Sequence, residues 1–166
     1  MFPSKRILCP TDFSEAANQA FSNAADIALH NQAEIYLVHV LPGILADGGS
    51  SALVMPLPEY ERLLQPQERL EELAKPLRER GLKVHTVVAR GDPATEIVKL
   101  AKQKAVDIIV IATQGRTGWR HLAFGSVAEK VVRTATCPVL SIRRAVRGPS
   151  AHTATVVKQS GNTSTS

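Results

Sequence analysis

Apolar positions in this chain alternate between short continuous runs and stretches spaced three and four residues apart. These are the signatures of buried strands and of helices packed on one face. Arg6–Pro10 (RILCP) is the first run, and residues 14–31 follow with Ala17, Ala20, Phe21, Ala24 and Ala28 at helical spacing. That many alanines let a helix lie close against a sheet. Residues 34–40, rich in Ile, Leu and Val, read as a second strand. Three prolines, three glycines and paired serines make residues 41–58 a loop or flap. The next helix carries Leu63, Leu70, Leu73, Ala74 and Leu77 inward, and Pro66 starts its main segment. Pro76 is expected to kink its last turn, since proline lacks an N–H and clashes with the carbonyl of Glu72.

Residues 84–88 form a third strand, more mixed in polarity and so less buried. Asp92 and Pro93 read as an N-cap and an N1 proline, opening a helix that presents Ile97, Val98, Leu100 and Ala101. Ile108–Ala112 is the most hydrophobic run, of the kind buried on both faces in parallel sheets. Ser126 and Glu129 stand at capping-box spacing before a helix with Val127, Val131, Val132 and Ala135 inward. Residues 138–143 are the last strand. Strand and helix alternate throughout, which predicts an α/β fold: a single-domain, open, doubly wound, Rossmann-like parallel sheet with helices on both faces. The domain spans residues 1–143, and residues 144–166 read as a disordered basic, Ser/Thr-rich tail.

Charge changes this picture little. The net +5 of the 166 residues includes four bases and no acids from Arg143 onward, namely Arg143, Arg144, Arg147 and Lys158. The body therefore offers no support for a nucleic-acid-binding face. The tail has no apolar periodicity and reads as a solubilising extension. Cys9 and Cys137 form no CxxC, and the five histidines show no metal spacing. No signal peptide and no membrane span is visible, so a cytoplasmic location is expected.

The candidate chemistry lies at strand ends. In sheets of this class, ligands bind outside the carboxyl ends of the strands, at a switch in strand order. Pro10, Thr11 and Asp12 follow the first strand, and residues 114–126 (QGRTGWRHLAFGS) follow the fourth. A buried strand that empties into a glycine-rich cationic loop and then a helix is a place to hold phosphate. Glycines admit close backbone approach, and a helix start supplies orphan N–H donors and partial positive charge. Gln114, Gly115, Arg116, Gly118, Gly125 and Ser126 are the candidates there, with Trp119 and Arg120 as packing or surface residues. Each has a plainer reading as well. The glycines serve as turn residues, Asp12 as a helix N-cap, and Ser126 as a cap on the amide of Glu129. Asp12 as a ligand would accept from a ribose hydroxyl or an adenine amino group.

Other nucleotide motifs fail. There is no GxxxxGK[ST], no GxGxxG after the first strand, and no GxSxG elbow. No nucleophile has a base in local sequence, so any ATP hydrolysis is expected to be slow.

The segments KRILCPTDFSEAANQAF, IYLVHV and DIIVIATQGRTGWRHLAFGSVAEKVVRTATCPVLSIR resemble the universal stress protein family from about Lys5 to Arg143. The resemblance implies a five-stranded parallel sheet of order 3-2-1-4-5, which brings the two clusters into one cleft. ATP-binding members carry G-x2-G-x9-G-[ST]. Here the second and third glycines match Gly115 and Gly125, and the hydroxyl matches Ser126. Ala112 replaces the first glycine, and Gln114 stands for the usual histidine. Carried over by position, Pro10, Thr11 and Asp12 line the nucleoside side, and the backbone of Val40 reads adenine. Gly115, Gly125, Ser126 and Val127 hold the phosphates, with Gly118 part of a related QGRTG form of the loop. The resemblance implies ATP or another adenine nucleotide, with Mg2+ or Mn2+ carried on the phosphates. It also implies a homodimer through residues 138–142 (Pro138, Val139, Leu140, Ser141, Ile142) and a role in stress responses. The rival reading is a nucleotide-independent interaction protein of the same fold.

Overall fold

The computed structural model describes residues 5–41, 65–113 and 125–143, together with the backbone of Thr155–Val157. Along the chain run β1 (Arg6–Pro10), α1 (Glu15–Asn31), β2 (Glu34–Leu41), α2 (Pro66–Glu79), β3 (Val84–Arg90) and α3 (Pro93–Gln103). They are followed by β4 (Ile108–Ala112), α4 (Ser126–Thr134), β5 (Val139–Ile142) and β6 (Thr155–Val157). The five strands β1–β5 are all parallel, in the expected order β3-β2-β1-β4-β5.

Alternation along each strand divides the core in two. Ile7 and Cys9 of β1, with Ile35 and Leu37 of β2, pack under Ala20, Ala24 and Ala28 of α1 and Leu70 and Ala74 of α2. Leu8, Val38, Ile109 and Ile111 face the other way, against Ala94, Ile97 and Ala101 of α3 and Ala128 and Val131 of α4. β3 is the less buried strand that its mixed sequence suggests.

Two helix ends show how local chemistry sets boundaries. Ser14, in extended backbone, accepts from the amide of Ala17 and caps α1. At the end of α2, Gly81 has φ +86°, its N–H donates to the Arg78 carbonyl, and that of Leu82 to the Leu77 carbonyl. This left-handed turn is one that glycine adopts without strain. α2 begins with Pro66 at its first turn and includes Pro76 within its length.

Two expectations change. The capping box at Ser126 is not formed: Gly125 is the N-cap of α4, without a side-chain cap. The Glu129 amide donates instead to the Gly125 carbonyl at 2.9 Å. A hydroxyl caps from an extended residue outside the helix, and that residue is one position earlier. The tail, read as disordered from residue 144, contributes β6. It pairs antiparallel with β5, Val139 opposite Val157, Leu140 opposite Val156 and Ser141 opposite Thr155. Consequently β5 is not a sheet edge in the single chain.

Candidate functional site

β1 is hydrogen-bonded to β2 on one side and β4 on the other, so the chain departs in opposite directions from the carboxyl ends of β1 and β4. Above this divergence lies a cavity of about 390 Å³. Its volume falls within the roughly 300–1,000 Å³ usual for small-molecule sites.

The nucleoside-side candidates form a tight turn at its rim. The Thr11 amide donates to the Val38 carbonyl at 2.8 Å, extending the β1–β2 ladder by one bond. Thr11 Oγ1 accepts from the Phe13 amide, and Asp12 Oδ1 from the Ser14 amide, both at 3.0 Å. Ser14 therefore holds the cap of α1, and Asp12 stands outside the helix, where it lines the cavity. Between them Phe13 sits at φ +63°. Non-glycine residues rarely adopt that conformation, and it persists where the surroundings hold it. Here the Phe13 ring meets His39 at 4.6 Å between centroids, and Arg69 of α2 lies over it at 3.8 Å.

His39, at the end of β2, is a lining residue that sequence reasoning missed. Its Nδ1 is 2.8 Å from the Thr11 carbonyl. A carbonyl only accepts, so Nδ1 carries the proton and the ring braces the turn. The carboxyl-end rule, applied to β2 as it was to β1 and β4, would have found it. Pro93, the N1 proline of α3, and Ile97, one of its inward-facing residues, also line the cavity.

The phosphate-side candidates meet at a neck. Thr113, 2% exposed, has its amide on the Ile142 carbonyl at 2.9 Å, and its hydroxyl reaches the same oxygen. Its own carbonyl accepts from the Gly125 amide. Residues 113 and 125 thus close the base of the glycine-rich segment and start α4 at the cavity. The first N–H groups of a helix have no acceptor inside it, and Ser126, Val127 and Ala128, which carry those of α4, line this wall. Ala112, Gly125, Ser126 and Val127 line the same cavity as Pro10, Thr11, Asp12 and Val40. Gln114, Gly115, Arg116 and Gly118 lie outside the described residues.

α3 and α4 are tied beside the site. Asp92 caps α3 through the Thr95 amide and hydroxyl and receives Lys130 of α4 at 2.9 Å. Those hydrogen bonds, from Thr95 first and then Lys130, hold its carboxyl down at about 2. Cys9, fully buried in the core, has its thiol pushed up to about 12 and supplies no nucleophile at neutral pH. Among the described residues no cluster of His, Cys, Asp and Glu suits a metal ion, and no helix is long and apolar enough to cross a membrane. Among the described residues that line the cavity, Asp12 is the one carboxylate.

The universal stress protein family profile matches residues 3–143, the whole of the parallel sheet and its helices. The chain belongs to the universal stress protein family. It is 37% identical over 145 residues to universal stress protein MJ0531 of Methanocaldococcus jannaschii, covering 84% of this chain and 82% of that one. Among solved structures, that of MJ0577 from the same archaeon, reported as a structure-based assignment of biochemical function, superposes with a TM-score of 0.70 at 31% identity. It covers 86% of this chain and 98% of that one. A universal stress protein from Archaeoglobus fulgidus, solved in complex with dAMP, shares the fold with a TM-score of 0.60 at 24% identity, covering 84% and 98%. The matched span of this universal stress protein domain ends where β5 ends, and β6 lies beyond it.

Proposed function

We propose that this universal stress protein binds an adenine nucleotide, ATP in the first place, in the cavity above β1 and β4. It then acts in the cytoplasm as a homodimeric sensor or regulator of stress responses. One observation carries the reading. The Pro10-Thr11-Asp12 turn and the Gly125-Ser126 helix start, far apart in sequence, line the same cavity. One side presents a carboxylate and the other a helix N-terminus, as a nucleoside and its phosphates require.

In this arrangement Asp12 accepts from a ribose hydroxyl, and the Val40 backbone reads the adenine edge. Ile97, Ile111 and Val38 give the base an apolar bed. The amides of Ser126 and Val127, with the Ser126 hydroxyl released from capping, donate to phosphate oxygens. Gln114, Gly115, Arg116 and Gly118 contribute from the glycine-rich segment, and Mg2+ or Mn2+ rides on the phosphates. The chain has no Walker-type lysine motif, so any turnover is expected to be slow and the nucleotide serves as a signal. The homodimer forms through residues 138–142.

The test is direct. Protein purified from cells is denatured and the released small molecules are identified by mass spectrometry, alongside calorimetric titration with Mg-ATP. Released adenine nucleotide and saturable heat are expected. Neither appearing would give the ground to the nucleotide-independent interaction protein.

A further inference from the structure

β5 is the outermost parallel strand, and an outermost strand offers a row of unpaired N–H and C=O groups to any passing chain. In this protein the row is taken by the chain itself. Thr155–Val157, the only run of three β-branched residues after Ile142, is seated antiparallel on β5 over three residue pairs. Such residues favour extended backbone. β6 lies beyond the family match, in the C-terminal extension that follows the parallel sheet.

We propose that β6 is an intramolecular cap that competes with a second copy of this chain for the β5 edge, so that the C-terminal extension sets the threshold for dimer formation. The proposal rests on the homodimer reading above. A sheet edge takes one strand at a time. A second protomer's β5, pairing antiparallel across a two-fold axis, would need the backbone positions that Thr155–Val157 occupies. The tethered strand meets the edge at an effective concentration on the order of millimolar, far above the micromolar concentrations at which proteins usually meet one another. A partner strand of equal quality therefore loses to the cap, and the dimer prevails only through contacts beyond the strand. The cap is nonetheless short, which keeps it displaceable.

The test compares the full chain with Val156→Pro, which removes a backbone donor from the middle of β6 and disfavours ladder pairing. Thr155→Pro serves as a second variant. Circular dichroism and Mg-ATP titration check that the domain is intact. Sedimentation velocity across a concentration series is expected to show dimer association strengthened roughly tenfold or more in both variants, within the range that tethering supplies. Amide exchange at residues 139–142 is expected to rise in their monomeric fraction. Dimers of equal affinity in all three proteins would overturn the cap and leave the homodimer standing. Monomers in all three at the highest concentration would overturn both.

Discussion

The two ends of the sheet are built from the same strands and solve opposite problems. At the amino end polar groups satisfy one another. Asp107 Oδ2 accepts the amides of Lys5 and Arg6, both at 2.8 Å, and binds the start of β1 to that of β4. Glu34 sits between Arg6 and His85, each at 3.0 Å, and His85 stacks on Tyr36. At the carboxyl end the polar groups ring a cavity instead, and the turn that holds them carries a left-handed phenylalanine. The contrast separates residues that hold the sheet from residues that the sheet holds out. Substitutions at the carboxyl end should cost binding with little stability, and those at the amino end the reverse.

Gly125→Val presses hardest on that contrast. Gly125 has φ −72° and ψ 153°, extended backbone open to any residue, so the glycine is not there for its conformation. Its place in the cavity lining, beside the first amides of α4, is what a branched side chain would fill. Affinity for Mg-ATP is expected to fall by more than about a hundredfold, beyond roughly 2.7 kcal/mol, with the melting temperature nearly unchanged. Unchanged affinity in calorimetry would remove the phosphate wall from the site.

Asp12→Ala comes next and divides the site within itself. Losing one charge-assisted hydrogen bond to the nucleoside costs roughly 1.5–3 kcal/mol, on the order of ten- to a hundredfold in ATP affinity. Affinity for inorganic triphosphate should stay the same. The Ser14 amide loses its acceptor, yet Ser14 still caps α1, so the stability cost is small. A large fall in melting temperature with ATP affinity retained would assign Asp12 to the turn rather than to the ligand.

Much of this was legible beforehand, and the exceptions have physical causes. β1 and β4 are short apolar runs bounded by breakers, and α3 opens on Asp92 and Pro93, so periodicity and caps sufficed. Gly125 and Ser126 were misassigned by one position because both residue types serve at an N-cap, and only backbone angles distinguish them. β6 was missed because three residues in a polar tail have no period to read, and their pairing depends on an edge far away in sequence. His39 stands among aliphatic residues of β2, and nothing local shows that its ring bonds to Thr11. Register brings those two together, which a single strand cannot reveal.

At the amino end, Asp107→Ala should produce the mirror image of these effects. Two backbone amides lose a shared acceptor in an exposed setting, which costs about 1–2 kcal/mol, or roughly 3–6 °C in melting temperature. Mg-ATP affinity should not change, since Asp107 stands at the opposite end of β4 from Ala112. A binding defect here would mean that the two ends are coupled through the sheet.

The smallest effect is a pH dependence at Glu34. The hydrogen bond from His85, and after it that from Arg6, holds the Glu34 carboxyl below the usual carboxylate range. A carboxylate whose folded pKa is depressed stabilises the protein fully above the unfolded value of about 4.3, and that contribution fades as pH falls through the folded value. Both partners are partly exposed, so water screens the pairs and the gain is modest. Glu34→Gln is therefore expected to melt slightly below the parent protein at neutral pH. The gap should hold constant down to about pH 4.5 and close below it. Melting curves of the two proteins across that range decide the matter. A gap that persists unchanged into strong acid would show that the carboxylate's charge contributes nothing, and that Glu34 acts through its shape and packing against Tyr36 instead.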